Sequence, residues 1–331
     1  MGSVLAHCTD GSVYTGSVLV GADGARSKIR QWMYQDLDDK RLLPRSDKQP
    51  MKCDFICLVG ITEPLDPKVC PPVKDTKAVF TIMCPNNEPQ TTAVMNVPDN
   101  KVAWMVIANP TDFPPPQTYS KISKSLPISA TRSAWGPDAA SAMSSALKPT
   151  SVPYGGEQFG ALLEHTRSDK ISKVLLEEKI FKTWSSGRVV LLGDACHKLY
   201  PSGGQGANQA IMSAVSLANL LYQLPSNRLE DVETCFHTYR AQRRFQVWFA
   251  SVLTKVCTYI FSGKSRFARL TRYLILNKVP NWMVRLGSNF AAQDRPQAVF
   301  LPFVNDGGNI RPYHQSQCFQ RPMASLRPAA V

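Results

Sequence analysis

The sequence lacks acidic residues over a long stretch of its C-terminal half. No Asp or Glu occurs between Glu233 and Asp294, whereas the same stretch contains ten Lys and Arg residues. This imbalance contributes much of the formal net charge of +13 at pH 7. Aromatic residues such as Trp248, Tyr259 and Trp282 lie among these bases. A basic and aromatic segment is typical of contact with an anionic membrane, contact with nucleic acid, or a solvated helix face.

The sequence also lacks a continuous apolar run long enough to span a bilayer. The densest run, Val247 to Phe261, is interrupted by Lys255 and is shorter than the about 20 residues that a spanning helix needs. We predict a core or interfacial helix there. No recognised nucleic-acid-binding module accompanies the charge, so no nucleic-acid partner is expected. Peripheral membrane contact through residues 240–285 is the sharper prediction, and a solvated basic face is the alternative.

Cysteine and histidine spacings that hold metals are absent as well. The nine cysteines include no CxxC pair, and the five histidines show no ligand spacing, so no metal is expected. Scattered cysteines in odd number and polar, strand-like first residues predict an intracellular protein, either cytoplasmic or peripheral on an intracellular membrane. The 44% hydrophobic and 19% charged residues predict a globular chain, and 331 residues suffice for about two domains.

Residues 187–208, which read GRVVLLGDACHKLYPSGGQGAN, are the most informative segment. Arg188 to Leu192 form a short apolar, β-branched run that predicts a buried strand. Gly193 ends this strand with a tight turn. Asp194 then lies at the carboxyl end of the strand, where a carboxylate can accept hydrogen bonds from sugar-like hydroxyls.

A stiff and glycine-rich loop follows in the same segment. Pro201 restricts the loop, and three glycines within the next five residues remove side chains, so a flat ligand can approach the backbone. Helical periodicity begins at Ala207 and continues through apolar residues spaced by three and four. The spaced apolar residues are Ala210, Ile211, Ala214, Val215, Ala218 and Leu221. The predicted helix therefore directs its N-terminal amides and dipole into the loop, an arrangement that suits an electron-rich carbonyl or a developing anion.

A second strand-turn segment lies near the start of the chain. Residues 18–30 read VLVGADGARSKIR, a short apolar run followed by Asp23 and Gly24. Ser27 and Arg30 continue this segment at intervals of three residues. Alone, an Asp-Gly pair after a strand indicates only a turn. Two such segments in this order, about 170 residues apart, are more specific than two ordinary turns and indicate a functional site.

The two segments together resemble motifs of the para-hydroxybenzoate hydroxylase-like FAD monooxygenases. The resemblance implies that Asp194 holds the ribityl hydroxyls of FAD and that the backbone from Gly203 to Asn208 faces the pyrimidine edge of the isoalloxazine ring. It also implies that Asp23 lies near the pyrophosphate and that its segment helps NAD(P)H to engage. The cofactor-binding residues expected in this way are Asp23, Gly24, Ser27, Arg30, Gly193, Asp194, Pro201, Gly203, Gly204, Gln205, Gly206, Ala207 and Asn208.

The resemblance implies an α/β fold with α+β character. An FAD/NAD(P)-binding region of the glutathione reductase type is interrupted by an antiparallel substrate-binding sheet and followed by a helical C-terminal region. The predicted boundaries are 1–34 for the remnant of the FAD-binding domain with the Asp-Gly motif, 35–170 for the substrate-binding region, 171–225 for the FAD-binding domain with the Gly-Asp motif, and 226–331 for the helical region and an irregular tail.

The predicted substrate region contains four strand signals and a turn signal. The strands are expected at 53–61, 78–83, 91–97 and 102–108, with a turn at Pro98-Asp99-Asn100 between the last two. Alternating residues predict a sheet with one covered face, and in the resembling family this sheet covers the substrate pocket. Trp104 and Tyr200 are candidate pocket-lining residues.

A GxGxxG motif is absent from the sequence. Members of the resembling family begin with a strand, this motif and a helix that binds the FAD pyrophosphate, whereas this chain opens with a hairpin at Asp10-Gly11. We therefore expect an N-terminally truncated form, as a fragment, as a mis-started gene product or with a partner that supplies the rest, and weak FAD binding by the chain alone. Many relatives also carry an acidic pair where this chain has Met212-Ser213, so a charge interaction at the second helical turn is expected to be missing.

The activity implied by the resemblance is FAD-dependent monooxygenation. NAD(P)H reduces the flavin, O2 forms a flavin C4a-hydroperoxide, and one oxygen atom hydroxylates or epoxidises a small lipophilic or aromatic substrate. No catalytic side chain stands out. Two other classes stay open: another flavoenzyme of the same fold, such as a reductase or a halogenase, and a non-catalytic remnant that serves as a binding or membrane-associated module. The sequence leaves the oligomeric state and the choice of NADH or NADPH open.

Overall fold

The computed structural model describes residues 2–68, 78–84, 90–108, 137–153, 158–262 and 266–302. The described strands, in chain order, are β1 (Val4–His7), β2 (Val13–Gly16), β3 (Leu19–Gly21), β4 (Lys52–Ile61), β5 (Phe80–Met83), β6 (Thr91–Val97), β7 (Lys101–Ala108), β8 (Ser172–Ile180), β9 (Ser185–Ser186), β10 (Val189–Leu191) and β11 (His197–Lys198). The described helices are α1 (Lys28–Asp39), α2 (Arg45–Lys48), α3 (Pro137–Leu147), α4 (Phe159–Glu164), α5 (Gly206–Tyr222), α6 (Leu229–Ser262), α7 (Arg266–Lys278) and α8 (Asn281–Ala292).

The chain forms two compact units, each built from separate segments. The first unit comprises residues 1–49, 178–255 and 278–331, and the second comprises 50–177 and 256–277. The predicted C-terminal region 226–331 is thus divided between the units, because α6 and α7 contribute residues to both. The predicted irregular tail lies, from residue 303 onward, outside the described residues.

The first unit begins with the predicted hairpin. Strands β1 and β2 pair antiparallel, from Val4 opposite Gly16 to His7 opposite Val13. Gly11 has a φ of 86°, a value that glycine adopts without strain, and the amide of Cys8 donates to the carbonyl of Ser12 at 2.9 Å. The Asp10-Gly11 turn predicted from the sequence is confirmed.

A parallel strand pair is the centre of the first unit. Strand β10 pairs parallel with β3, so that Val190 lies opposite Val20, and antiparallel with the short β9. The amide of Leu192 continues this ladder to the carbonyl of Gly21 at 3.0 Å. Val190 and Leu191 are fully buried, which confirms the buried strand predicted for this segment.

Close packing explains a glycine in β3 that sequence reasoning passed over. A Cβ atom at Gly21 would lie 2.9 Å from side-chain atoms of Ile29 on α1 and of Leu191 on β10. Because Gly21 has no side chain, α1 can pack more closely on β3 than any other residue at this position would allow. This contact places the start of α1 against the parallel pair.

The second unit contains the predicted antiparallel sheet, with neighbouring strands in the order β8, β4, β7, β6 and β5. Alternate residues of β7 are buried, which confirms one covered face. Val97 pairs with Lys101, so Pro98, Asp99 and Asn100 form a three-residue connection, in which Asp99 and Asn100 have positive φ, 65° and 55°. The predicted turn at these residues is confirmed.

The covered face of this sheet packs on α3 and α4. Leu58, Val102 and Val106 are fully buried there, together with Leu147 and Phe159 from the helices.

Trp104 belongs to this core rather than to an exposed pocket wall. Its ring lies edge-on to Phe159 at 4.7 Å between centroids, and its indole N–H donates to Thr166 Oγ1 at 3.0 Å. The indole also fills the space beside Gly60, where a Cβ atom would lie 2.3 Å from it. The candidate pocket role of Trp104 is therefore corrected to a structural one.

Candidate cofactor site

Asp194 lies in a 3₁₀ turn, Gly193–Ala195, that directly follows β10. Gly193 has a φ of 60°, and a Cβ atom there would approach the Cβ of Ala210 on α5 to 3.1 Å, so the turn packs closely on that helix. The Asp194 side chain is 33% exposed, and its Oδ2 accepts a hydrogen bond from Lys198 Nζ at 2.6 Å. A charged acceptor that is open to solvent thus lies at the end of the strand, as the sequence predicts.

The glycine loop leads from this turn to α5. Pro201–Gly203 form a second 3₁₀ turn, and Gly204 follows in the left-handed conformation with a φ of 62°. Cβ atoms added at Gly204 and Gly206 would meet no atom of the described part of the chain within 4 Å. The absence of side chains here leaves open space in front of the backbone, as a cradle for a flat ligand requires.

Gly203 differs from the other two glycines of the loop. A Cβ atom there would lie 2.6 Å from Cγ2 of Thr254 and 3.4 Å from its Cα. The loop therefore packs directly against α6 at this position. The missing side chain of Gly203 is explained by this protein contact, whereas contact of its backbone with a cofactor stays a prediction.

Helix α5 begins at Gly206, one residue before the predicted start, and points its N-terminus at the loop. Gln205 at the N-cap makes no capping hydrogen bond through its side chain, and the first turn contains no acidic residue. Ala207 and Asn208 are exposed. The first-turn amides and the positive end of the helix dipole therefore suit an electron-rich carbonyl oxygen or an anion.

The buried face of α5 differs from the one that apolar spacing suggests. Ile211 is 62% exposed and Ala214 is exposed, whereas Gln209, Ser213 and Ser216 are buried. The cause is tertiary, because Gln242 and Arg243 of α6 face these polar side chains and form hydrogen bonds with them. Arg243 is fully buried, so the alternative of a solvated basic face does not hold at this residue of the basic stretch.

Asp23 and Ser27 cap the start of α1. Asp23 Oδ2 accepts from the amides of Lys28 at 2.6 Å and Ile29 at 3.2 Å, while Ser27 Oγ accepts from the amide of Arg30 at 2.9 Å. Partial burial acts to raise the pKa of Asp23, but hydrogen bonds from Ser27 and from these amides outweigh it and bring the pKa below its ordinary value. Asp23 is exposed and ionised, and Ser27 is fully buried.

Arg30 connects the two motifs. Its guanidinium donates to the carbonyl of Ala195 at 2.9 Å and to that of Ala25 at 2.8 Å, and it lies 4.4 Å from the ring centroid of Phe181. The side chain is buried. Its observed contacts hold the Asp-Gly segment against the turn that carries Asp194, and direct contact of Arg30 with a cofactor stays a prediction. The sequence carried no signal for Ala195 as its partner, since the two residues are 165 positions apart.

His197 is buried behind the same turn. Its Nε2 lies 3.2 Å from Ser213 Oγ, its ring packs on Trp184, and its Nδ1 has no hydrogen-bond partner among the described residues. Burial lowers the pKa of His197 to about 4, and the nearby Arg243 acts in the same direction. The imidazole is therefore neutral in the folded protein at pH 7.

Tyr200, the other candidate pocket-lining residue, is also buried.

The buried imidazole predicts a loss of stability in acid. The unfolded chain takes up a proton at His197 near pH 6.5, whereas the folded chain does so only near pH 4, so stability falls as pH drops through this window. We expect this residue to lower the unfolding free energy by about 1.6 kcal/mol between pH 6.5 and pH 5. His197→Gln, which retains a partner for Ser213, should remove that part of the pH dependence in urea unfolding. The exposed His237→Gln is the control, and equal pH dependence in both variants would contradict the assignment.

Among the residues that the structure describes, no group of three or more His, Cys, Asp or Glu side chains is arranged to hold a metal ion. The site offers a carboxylate, helix amides and an open glycine loop. The carboxylate can accept hydrogen bonds from the ribityl hydroxyls of a flavin, and the helix amides can donate to its pyrimidine carbonyl.

Comparisons with known proteins point to the same cofactor. Residues 155–251 match the family described as FAD binding domain. The FAD-dependent monooxygenase atmM of Aspergillus flavus is 30% identical over 91% of this chain and 59% of its own length. The FAD-dependent monooxygenases esdpE of Penicillium shearii and paxM of Penicillium paxilli are 27% and 28% identical, over 83% and 74% of this chain and 54% and 51% of their own lengths. The chain thus spans about half the length of the curated relatives it matches.

Solved structures show the same fold. Klebsiella pneumoniae HpxO, complexed with FAD and uric acid, superposes with a TM-score of 0.58 at 18% identity, over 89% of this chain and 64% of its own. FqzB superposes with a TM-score of 0.55 at 17% identity, over 86% of this chain and 60% of its own. The fold is therefore that of FAD-binding monooxygenases. The chain is thus similar to FAD-dependent monooxygenases of the para-hydroxybenzoate hydroxylase-like family, and residues 155–251 match the FAD binding domain.

Proposed function

We propose that the protein uses FAD and NAD(P)H to insert one oxygen atom into a small lipophilic or aromatic substrate, by hydroxylation or epoxidation. The observation that carries this proposal is the open carboxylate of Asp194 beside the glycine loop and the N-terminus of α5. The fungal relatives named as FAD-dependent monooxygenases support the same reaction class.

Each part of the site has a task in this proposal. Asp194 accepts hydrogen bonds from the ribityl hydroxyls, and its ion pair with Lys198 keeps the carboxylate in place. The backbone of residues 203–208 lies along the pyrimidine edge, where the dipole of α5 stabilises negative charge. Bound FAD supplies the redox chemistry with O2, and NAD(P)H supplies the electrons. Asp23 and Gly24 lie on the pyrophosphate side.

Incorporation of oxygen from the gas phase tests the reaction. The chain is incubated with FAD, NADH or NADPH, and a panel of lipophilic olefins and aromatic compounds under ¹⁸O2, and the products are analysed by mass spectrometry. A product that carries one ¹⁸O atom, formed only with reduced nicotinamide present, is expected. Oxidation of NAD(P)H that releases only hydrogen peroxide with every compound, or flavin reduction without any oxygen transfer, favours a reductase and contradicts the proposal.

A second proposal concerns membrane contact. Helix α7 exposes large apolar side chains while Arg272 and Ala268 are buried, the reverse of an ordinary surface helix. The exposed apolar side chains of α7 are Phe267, Leu270, Tyr273, Leu274, Ile275 and Leu276. Arg266 and Lys278 lie at its two ends, and the sequence has no acidic residue nearby to repel anionic lipid. We infer that α7 rests on an anionic intracellular membrane surface. No described helix is long and apolar enough to cross a bilayer.

Vesicle co-sedimentation tests the membrane proposal. Binding to phosphatidylcholine vesicles that contain phosphatidylserine is expected, with a contribution of about 1 kcal/mol per basic residue near the surface, and it should weaken at high salt. The triple variant Phe267→Ser, Leu270→Ser, Leu276→Ser should lose this binding. The triple variant Leu5→Ser, Val13→Ser, Tyr14→Ser removes equally exposed apolar side chains from the N-terminal hairpin and serves as the control. Equal binding to vesicles with and without anionic lipid would contradict the proposal.

A further inference from the structure

A guanidinium is buried behind the first turns of α5. Arg243 of α6 has a side chain that is only 2% exposed, and its Nη1 donates to Asp294 Oδ2 at 2.5 Å. Nη2 donates to Gln209 Oε1 at 2.6 Å, and Nε donates to Ser213 Oγ at 3.3 Å. A single cationic group therefore connects α5, α6 and the segment after α8.

The contacts on α5 lie close to the glycine loop. Gln209 lies in the first turn of the helix, where its amide bonds to the carbonyl of Gln205, and Ser213 lies one turn later. The first-turn amides proposed to face the cofactor belong to the same turn as Gln209. A shift of the guanidinium therefore displaces the part of α5 that begins the cofactor site.

The segment that supplies Asp294 follows α5 along its length. The side chain of Asn219 donates to the carbonyl of Gln297 and accepts from the amide of Val299, both at 2.8 Å. Further along, the rings of Tyr222 and Phe300 lie 5.4 Å apart. Residues 294–300, which we name the α5 strap, thus run from the first turns of the helix to its last residue.

Charge balance makes Asp294 decisive for this arrangement. Among the described residues, Asp294 is the one carboxylate within ion-pair distance of Arg243. A buried guanidinium is stable only when its charge is compensated and its N–H groups are bonded. Ser213 and Gln209 accept hydrogen bonds but carry no charge.

We propose that Arg243 and Asp294 are positioning residues of the cofactor site, with the α5 strap holding the first two turns of α5 in the orientation that flavin binding needs. This inference rests on the proposed function for the identity of the cofactor. The part that concerns the order of the first two turns of α5 does not require FAD. Neither residue is assigned contact with the flavin.

Three variants of the full chain test the inference. Asp294→Asn removes the charge and keeps the shape, and Asp294→Glu restores the charge. Glu230→Gln breaks an exposed ion pair between Arg228 and Glu230, the latter in the first turn of the helix that carries Arg243. Hydrogen exchange of residues 206–213 is measured without FAD, with α1 of the same unit as the internal reference. The dissociation constant for FAD is then measured by quenching of flavin fluorescence.

Asp294→Asn is expected to speed exchange in the first two turns of α5 by about tenfold, with α1 unchanged, and to weaken FAD binding by about tenfold. Asp294→Glu should recover most of both losses, and Glu230→Gln should match the parent chain. Unchanged exchange at 206–213, or equal acceleration in α1 and α5, would overturn the positioning role. Absence of FAD binding by the parent chain under all conditions would instead overturn the proposed function, and the exchange data alone would then decide the inference.

Discussion

Asp194→Ala is expected to weaken FAD binding by about 1.5 to 3 kcal/mol, which is about ten- to a hundredfold in dissociation constant. The carboxylate is the charged acceptor at the end of β10, and alanine leaves the ribityl hydroxyls without it. The binding constant is measured by fluorescence titration of FAD into the chain. The titration extends to high FAD concentration, so that weak binding by a variant is still measured.

A matched control separates this effect from general loss of an ion pair. Asp54 is 36% exposed and pairs with Lys52 at 2.7 Å, so Asp54→Ala removes an equally exposed, equally paired carboxylate from the other unit. This control should leave the affinity for FAD unchanged. Asp194→Asn, which retains an acceptor oxygen without charge, should fall between the parent chain and Asp194→Ala. An Asp194→Ala chain that binds FAD as well as the parent would remove Asp194 from the site.

Gly206→Val is expected to abolish flavin binding while the fold persists. Among the described residues, a Cβ atom at Gly206 meets no atom within 4 Å, so the new side chain occupies only the space in front of the loop, and valine has a higher helix propensity than glycine. The readouts are the flavin absorbance spectrum after incubation with FAD and the melting temperature. A normal flavin spectrum in the variant would show that the loop does not approach the ring.

Gly203→Val serves as the contrasting substitution in the same loop. Its added side chain collides with Thr254, with the helix backbone directly behind that side chain, so the unfolding free energy should fall by about 1 to 3 kcal/mol. The melting temperature therefore distinguishes the two glycines. The result that Gly203→Val is stable and Gly206→Val is unstable would contradict the assignment of Gly203 to packing on α6 and of Gly206 to open space.

Local features of this protein are readable in its sequence because they depend on neighbouring residues. The hairpin at Asp10-Gly11 and the turn at Asp99-Asn100 require positive φ, and the residue types at these positions tolerate it. The alternation along β7 marks one covered face since side chains alternate across a strand. Gly193, Asp194 and the glycine loop before α5 combine strand, turn and helix signals within 22 residues, which is why the site is visible at all.

Contacts between distant segments were decided by the tertiary structure. The pairing of β3 with β10 and the bond from Arg30 to Ala195 bring two motifs together across 165 positions or more, and no local period encodes that distance. The sequence is equally compatible with Trp104 as a pocket residue and as a core residue. Its contacts with Phe159 and Thr166 in the folded chain place it in the core.

The buried side of α5 makes the same division clear. Periodicity in the sequence determined that a helix follows the glycine loop, because apolar residues recur at intervals of three and four. It could not determine that Gln209 and Ser213 would be buried and Ile211 exposed. That outcome depends on Arg243, whose buried charge requires polar partners from α5 and a carboxylate from Asp294. The sequence by itself thus determined the strands and helices and the chemistry of the glycine loop. Which face of α5 is buried was decided by the tertiary structure, because the buried charge of Arg243 needs partners from distant parts of the chain.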